Sequence, residues 1–233
     1  MTAPSGSTEQ LVALEEALQE TARMADLVDS LLTLARADEG RFDLHRELVD
    51  VHALAHEVLE TAVILGESAG LRVTMSQADQ ATVLGDYLRL RQLFLNLITN
   101  AIKYSQKGGE VELSLTRKDG QIIFSVRDTG IGISAADLPF IFDRFWRSDR
   151  ARSRAAERGG FGLGLAIGQW IAQAHGGTLT AQSRLHRGST FTVTLPAAPE
   201  AVPAEGASEA SVPQSAEAAP AVREGSDGAV ASR

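Results

Sequence analysis

The first part of the chain has apolar residues at helical spacing over about eight turns. From Glu9 to Asp38 there is no Gly or Pro, and apolar positions repeat every seven residues in two registers. These registers hold Leu11, Leu18, Ala25 and Leu32, and Leu14, Thr21, Val28 and Ala35. The pattern predicts one long helix that ends at Gly40. Its apolar face is broad, which is typical of a helix that packs in a bundle.

Beyond residue 40 the apolar spacing switches between the strand period and the helix period. We predict a strand near Arg46–Val49, a helix over Val51–Leu65 capped by Asp50, strands within 71–76 and 82–86, and a helix over Tyr87–Tyr104. A hairpin through Asp119-Gly120, a helix over Leu163–Ala174 ended by Gly176-Gly177, and a final hairpin closed by Pro196 follow.

The two ends of the chain have a different composition. Residues 1–8 are small and polar, and residues 197–233 consist mainly of Ala, Pro, Glu, Ser and Gly. Such segments bury too little apolar surface to offset their chain entropy, so we predict disorder in both. The predicted organisation is therefore a partial bundle helix over 9–40 and an α/β domain over 41–196.

Composition excludes several classes of function. The 233 residues carry a formal net charge of −8, which argues against general nucleic-acid binding. There is no cysteine, so neither disulfides nor thiolate chemistry is available. No apolar run approaches the roughly 18 residues of a membrane span, and the N-terminus does not resemble a signal peptide. We expect a cytoplasmic protein.

Four short clusters in the α/β part carry residues suited to chemistry. They are NLITNAIKYS at 96–105, DTGIGI at 128–133, FDRFWRSD at 142–149 and GGFGLGLAI at 159–167. Each has an ordinary alternative: two Asn residues on a helix often mark a solvated face, and Gly-rich stretches often form plain turns. The spacing fits neither a P-loop nor a dinucleotide-binding fingerprint.

Taken together, the clusters indicate a site for a magnesium nucleotide. Asn96 and Asn100 share a helix face and offer amide oxygens, which suit Mg²⁺, and Lys103 suits a phosphate. A Gly-rich loop that enters a helix presents free N–H groups to an anion. Asp128, at a strand end beside two glycines, can accept a hydrogen bond from an exocyclic amine of a base.

In this order, the four clusters resemble the N box, first glycine box, F box and second glycine box of two-component sensor histidine kinases. These kinases share an ATP-binding fold with type II topoisomerases, heat-shock protein 90 and mismatch-repair ATPases. The resemblance covers residues 9–196. It implies an α+β fold, with a two-layer α/β sandwich of mixed sheet and helices on one face, preceded by one long bundle-forming helix.

The resemblance also implies roles for individual residues. Asn96, Asn100 and Lys103 would act in catalysis, with Asn96 and Asn100 holding Mg²⁺. The ATP-binding set would be Asn96, Asn100, Lys103, Tyr104, Asp128, Gly130, Gly132, Ile133, Phe142, Arg147, Gly160, Gly162, Leu163, Gly164 and Leu165. Residues 148–160 would form a lid over ATP. Arg144 would reach phosphates, while Phe142, Phe145 and Trp146 have core or lid packing as their ordinary alternative.

One departure from the family concerns the phosphoacceptor histidine. Residues 9–38 resemble the second helix of the family's dimerisation hairpin, and no histidine precedes His45. None of the five histidines lies in a phosphoacceptor motif. His52 and His56 have metal-ligand spacing, but a surface role is the ordinary alternative, and we expect the charge of His175 to suit a helix C-terminus. This chain alone is therefore not expected to phosphorylate itself on histidine.

The leading hypothesis is the catalytic module of a protein-histidine kinase. It would pass the ATP γ-phosphoryl to a histidine on a separate helix and then to the receiver domain of a response regulator. The intact kinase would be a homodimer through its helical bundle, with any membrane anchor upstream. The alternative is a regulatory protein that binds ATP and joins helical bundles without phosphorylation; a serine kinase of the anti-sigma type is disfavoured.

Overall fold

The computed structural model describes residues 5–39, 43–147 and 161–199. The first helix, α1, spans Ser5–Asp38 and ends where the sequence predicts. It begins four residues earlier than predicted, within the segment for which we predict disorder. Pro4 is the last residue there that would oppose a helix, and Gly6 only costs about 1 kcal/mol relative to Ala. Residues 1–4 and the tail from 200 onward lie outside the described residues.

The remaining elements follow the predicted order with small shifts at their ends. They are β1 Glu47–Asp50, α2 Val51–Ala69, β2 Arg72–Ala78, β3 Thr82–Gly85, α3 Tyr87–Tyr104, β4 Glu110–Lys118, β5 Gln121–Asp128, a 3₁₀ turn Leu138–Phe140, α4 Gly164–Ala174, β6 Thr178–Arg184 and β7 Gly188–Pro196. The bounds of α3 match the prediction at both ends.

A five-stranded sheet in the order β2-β4-β5-β7-β6 forms one layer of the α/β domain. Only β2 and β4 pair in parallel, and the other neighbours are antiparallel. Alternate residues of β4, β5 and β7 are buried in a core shared with α2, α3 and α4. Phe94 of α3 stacks on Phe124 of β5, with ring centroids 3.9 Å apart. The predicted two-layer α+β fold with a mixed sheet is confirmed.

Local sequence features explain where the helices of this domain begin and end. The Asp50 side chain accepts the Ala53 N–H, as predicted, and Asp86 accepts the Arg89 N–H at the start of α3. Helix α2 runs one turn beyond its predicted end. Gly66 lies inside the helix, and a Cβ there would come 2.3 Å from Val73 Cγ2, so this glycine allows α2 to pack closely on β2. Gly70 ends the helix at φ 71°.

The two hairpins have the predicted connections. Asp119 and Gly120 have φ of 51° and 72°, as a tight two-residue turn requires. After β7 the packed chain continues: the Ala197 N–H donates to the Gly120 carbonyl, and the Ala198 N–H donates to the Thr82 carbonyl. The ordered fold therefore extends past 196, the end predicted for the α/β domain. A smaller antiparallel pair, β1 with β3, stands apart from the main sheet.

Among its described side chains, helix α1 contacts the α/β domain through its C-terminal half, where Leu27 packs against the core. Leu34 is 3% exposed, whereas Leu11 and Leu18 are 60% and 62% exposed. At the end of the helix, Asp38 forms a two-pronged ion pair with Arg144, with distances of 2.5 and 2.7 Å. None of the helices in the described residues is both long enough and apolar enough to cross a membrane.

Candidate functional site

Helix α3 is the element to which the other parts of the site attach. Its buried face includes Leu90, Leu93 and Leu97, and Asn96 and Asn100 lie along one edge of that face, both half-buried. The Asn96 side-chain amide donates through Nδ2 to the Gly164 carbonyl at 3.1 Å. This bond joins the first predicted cluster to the fourth and leaves the amide oxygen of Asn96 available for another partner.

The C-terminal end of α3 contacts the DTGIGI cluster. The Tyr104 carbonyl accepts the Ile131 N–H at 3.1 Å. A Cβ on Gly130 would come 2.4 Å from that same carbonyl oxygen, so only glycine fits there without a backbone shift. The structure therefore places Tyr104 beside the loop that carries Asp128.

Asp128 is a buried carboxylate at the end of β5, with 4% of its surface exposed. Its Oδ1 accepts backbone N–H groups from Gly130 at 2.8 Å and Ser189 at 3.3 Å. Burial raises the pKa of Asp128, and these two hydrogen bonds act in the opposite direction. Because both bonds use Oδ1, the second oxygen is the one that can accept a donor from a ligand.

The rest of the DTGIGI loop is held by the β6–β7 hairpin. Gly132 has φ 65°, and a Cβ there would come 2.0 Å from the Arg184 carbonyl oxygen. The Ile133 N–H donates to Ser183 Oγ at 2.8 Å. The sequence did not identify Ser183 or Ser189 as members of the site. Hydroxyls that alternate along a strand look like an ordinary solvated face, so no signal separates them from their neighbours.

A cationic cluster lies at the end of α3, formed by Lys103 and Arg147. Burial and then the charge of Arg147 lower the pKa of Lys103, whose Nζ lies 5.3 Å from the centre of the Tyr104 ring. Burial raises the pKa of Tyr104, while Arg147 acts to lower it. Arg147 Nε is buried with no hydrogen-bond partner among the described residues, as is Ser105 Oγ. Two neighbouring cations with an unsatisfied donor suit an anionic ligand.

The FDRFWRSD cluster divides into packed and exposed residues. Phe142 and Trp146 pack against the core, in agreement with their ordinary alternative, but Phe145 is 56% exposed and has φ 63°. The Phe145 N–H donates to the Gly162 carbonyl at 3.0 Å, which joins this cluster to the last glycine cluster. Arg144, expected to reach phosphates, instead pairs with Asp38, because both oxygens of that carboxylate lie within hydrogen-bond distance of its two terminal nitrogens.

The GGFGLGLAI cluster leads into α4, and Gly160 and the predicted lid 148–160 lie outside the described residues. Gly162 has φ 74°, and a Cβ there would come 2.7 Å from the Trp146 carbonyl oxygen. Leu163 is buried and Leu165 packs against the core. Helix α4 begins at Gly164 with no side-chain cap, so its first N–H groups have no partner from a capping side chain.

His175 differs from its predicted role. Only 4% of it is exposed; its Nδ1 lies 2.7 Å from the Ile171 carbonyl oxygen, and its Nε2 accepts the Asp86 N–H at 2.9 Å. Burial lowers the pKa of His175. The expectation of a charge that suits the helix C-terminus is therefore wrong, because burial disfavours the charged ring and Nε2 acts as an acceptor. His175 instead links the end of α4 to the start of α3.

The donor set at the site determines how a cation would be held. The described residues contain no group of three or more His, Cys, Asp or Glu side chains that could hold a metal ion. A magnesium ion would therefore depend on amide oxygens and on the phosphates of its nucleotide. Such a shared coordination is usual for Mg²⁺ in nucleotide sites, and the Asn96 amide oxygen, which the bond to Gly164 does not use, fits it.

Comparison with known proteins shows which family this chain is similar to. Residues 85–199 match the family model described as histidine kinase-, DNA gyrase B-, and HSP90-like ATPase. The chain is 38% identical over 187 residues to the sensor-like histidine kinase SenX3 of Mycobacterium tuberculosis, covering 80% of this chain and 45% of that protein. It is 37% identical over 202 residues to the sensor protein SphS of Synechococcus elongatus, covering 84% and 49%. This chain thus spans just under half the length of either relative.

Solved structures give the same result. Full-length ShkA in complex with AMPPNP matches with a TM-score of 0.71 at 29% identity, covering 85% of this chain and 40% of that one. The mycobacterial sensor histidine kinase MprB matches with a TM-score of 0.55 at 30% identity, and the match covers 66% of this chain and 99% of that one.

Proposed function

This chain belongs to the sensor histidine kinases, with an ATPase-like catalytic domain, and from that membership we propose that it binds Mg-ATP as their catalytic module. It would transfer the γ-phosphoryl group of ATP to a histidine on a separate dimerisation helix. That phosphohistidine would then supply an aspartate on the receiver domain of a response regulator. The regulator, and dimerisation through a helical bundle, are the partners that we propose for the intact kinase, acting on the cytoplasmic side of the membrane.

The observation that carries this proposal is the convergence of four sequence clusters around α3. Asn96 bonds to Gly164, Tyr104 bonds to the loop after Asp128, and Phe145 bonds to Gly162. These contacts support one site that combines a buried acceptor with a pair of cations. This arrangement supports a ligand that has a hydrogen-bond donor at one end and concentrated negative charge at the other, as ATP has.

We assign the base to the region around Asp128. Its carboxylate would accept the exocyclic amine of adenine, and Gly130, Gly132 and Ile133 would shape the pocket. Burial supports this role, because a hydrogen bond to a charged acceptor is stronger where water is excluded. Tyr104 would lie against the base.

We assign the phosphates to Lys103, Arg147 and the start of α4. The two cations repel each other when no anion is near, so phosphate oxygens would relieve that repulsion and supply a partner for Arg147 Nε. Gly160, Gly162, Leu163, Gly164 and Leu165 would place backbone N–H groups and packing contacts along the triphosphate. Phe142 would hold the adjoining segment to the core.

Catalysis would then depend on positioning and on charge stabilisation. A magnesium ion bound with ATP supplies charge neutralisation at the phosphate oxygens. Asn96 and Asn100 would hold that ion through their amide oxygens, and Lys103 would stabilise charge on the transferred group. The acceptor imidazole would come from another helix, because none of the five histidines of this chain lies in a phosphoacceptor motif. They lie at 45, 52, 56, 175 and 186.

The test is transfer of label between two proteins. The chain is incubated with Mg-[γ-³²P]ATP, alone and with a histidine-bearing helical hairpin taken from a sensor kinase relative. We expect label only on the hairpin, acid-labile and base-stable as phosphohistidine is. Replacement of the hairpin histidine by Gln is the control and should abolish the label.

The other outcomes separate the competing functions. Acid-stable label would identify a serine kinase. Binding of ATP without transfer to any of several hairpins would favour the regulatory protein. Label on a histidine of this chain in the absence of the hairpin would contradict the proposed need for a separate acceptor.

A further inference from the structure

The turn between β6 and β7 lies directly behind the proposed adenine pocket. Ser183 and Ser189 face each other across the hairpin. Ser183 Oγ lies 2.9 Å from Ser189 Oγ, 2.9 Å from the Gly188 carbonyl oxygen and 2.8 Å from the Ile133 nitrogen. One hydroxyl thus contacts both strands of the hairpin and the glycine loop that follows Asp128.

The hydrogen count fixes the direction of these bonds. A serine hydroxyl has one hydrogen to donate and two lone pairs to accept. Ser183 donates to the Gly188 carbonyl and accepts the Ile133 N–H, which leaves one lone pair for the Ser189 hydroxyl hydrogen. The bonding capacity of Ser183 is then complete, so removal of its oxygen would leave several groups without a partner at once.

The backbones of the turn and the loop approach too closely for other side chains. A Cβ on Gly188 would come 1.9 Å from the Asp128 carbonyl oxygen. The His186 N–H donates to the Ile131 carbonyl at 2.7 Å. The position of the turn is therefore coupled to that of the loop, and a shift of one must move the other.

This coupling reaches the carboxylate of Asp128. The Ser189 N–H donates to Asp128 Oδ1, and Ser189 is the residue that Ser183 holds from across the hairpin. We propose that Ser183 is a positioning residue for adenine selection, which fixes the Asp128 carboxylate through the β6–β7 turn without touching the nucleotide. This inference rests on the proposed function, since it assumes that Asp128 receives the amine of adenine.

The test compares two nucleotides that differ only in that amine. Affinity is measured by calorimetry for ATP and for purine riboside triphosphate, whose base lacks the exocyclic amine. Loss of one neutral hydrogen bond typically changes an affinity by about threefold to tenfold. We expect Ser183→Ala to weaken ATP by about fivefold and to change the amine-free nucleotide by less than about twofold, so that the ratio falls.

Two further variants serve as controls. Ser183→Thr keeps the hydroxyl and should restore the ratio. Ser125→Ala removes a half-buried hydroxyl from β5 that pairs with Thr192 of β7 at 3.3 Å. This change should alter neither affinity. A purely structural role for Ser183 would weaken both nucleotides equally.

Each outcome then decides one question. An unchanged ratio in folded Ser183→Ala protein overturns the inference. If Ser183→Ala does not fold by circular dichroism, Ser189→Ala decides instead: a fall of the ratio supports the inference, and no change overturns it. If the unaltered chain binds neither nucleotide, or binds both equally, the proposed function fails and not this extension of it.

Discussion

At the base end of the site Asp128 is held by two backbone N–H groups, whereas at the phosphate end Arg147 Nε has no partner among the described residues. The base end is closed by backbone contacts that leave no room for a Cβ at Gly132 or Gly188. The phosphate end combines two cations with an uncapped helix start. On the proposed assignment, the protein alone would fix the base pocket, while the charge of the substrate would complete the phosphate pocket.

The largest effect is expected at the closed end, from Asp128→Asn. The Asn side chain keeps Oδ1 for the two backbone donors but presents an amide N–H₂ to the adenine amine. Loss of a hydrogen bond to a charged group typically costs about 2 kcal/mol, so ATP affinity should fall about thirtyfold by calorimetry. Because burial raises the pKa of Asp128, the neutral amide should not lower the melting temperature.

Asp119→Asn is the matched control for that change. Asp119 lies in the β4–β5 turn with φ 51°, a conformation that Asn adopts readily. ATP affinity should stay the same in this variant. A thirtyfold loss accompanied by a large fall in melting temperature would mean that Asp128 supports the fold rather than the base.

The second prediction concerns His175, which anchors the start of the helix that connects both ends. The His175 ring donates to the Ile171 carbonyl and accepts the Asp86 N–H. His175→Gln removes one of these two hydrogen bonds. Leaving a buried polar group unsatisfied costs about 1–3 kcal/mol, so we expect a loss of about 1.5 kcal/mol in the free energy of unfolding at pH 7.5. Denaturant titration measures it, and His45→Gln, at an exposed ring, is the control.

The same residue predicts a pH dependence with a definite sign. The folded-state pKa of His175 lies below 6.5, chiefly because of burial, with Arg46 lowering it and Asp86 and the Ile171 carbonyl raising it. The unfolded chain therefore binds the proton first, and stability is lost as pH falls below about 6.5 towards the lowered pKa. His175→Gln should flatten that part of the stability curve. A fall of equal slope in the variant would assign it to other groups.

The sequence predicted this fold well because the signals were local. Asp50 precedes a helix as its cap, Asp119-Gly120 joins two alternating strands, and α3 has a clear apolar face. Helix α2 runs past its predicted end at Leu65, and Gly66 within it makes room for Val73, a residue from a different element. Local patterns therefore fixed the kinds of element, while contacts between elements set some of their ends.

The site was less predictable at the points where distant residues meet. Ser183 and His175 act through partners in other elements, and neither pattern nor spacing reveals such partners. Arg144 was expected at the phosphates, but Asp38 lies close enough to bind it. The loop after Asp128 could be recognised from the sequence, because glycines at fixed offsets mark a close approach of the backbone. The unsatisfied Nε of Arg147 could not be recognised from the sequence, because its burial depends on the three-dimensional structure.

The third prediction tests the open end through Arg147→Ala. Removal of this cation should weaken ATP by about tenfold, the usual scale for one charge-assisted contact, and leave adenosine within about twofold. Folding stability should not fall, because the change removes a buried donor without a partner and a neighbour that repels Lys103. Exposed Arg187 in the β6–β7 turn provides the control, Arg187→Ala. Equal losses for ATP and adenosine would remove Arg147 from the phosphate pocket.

The smallest effect is expected from Gly164→Ala, which separates two reasons for a glycine in the last cluster. Gly162 needs its glycine for the fold, since φ is 74° and a Cβ would come 2.7 Å from the Trp146 carbonyl oxygen. Gly164 has no such need: the nearest atom to its Cβ would be Asn96 Cγ at 3.8 Å, an ordinary contact. Alanine at this helical position should therefore raise the free energy of unfolding by up to about 1 kcal/mol. If the phosphates approach the peptide N–H groups at the start of α4, the added methyl should still weaken ATP affinity by about twofold to threefold and leave adenosine affinity unchanged. This effect is well below that of losing a whole hydrogen bond to a charged group. A variant that gains stability and binds ATP as tightly as before would place the triphosphate away from this helix end, and the charge of the open end would then rest on Lys103 and Arg147 alone.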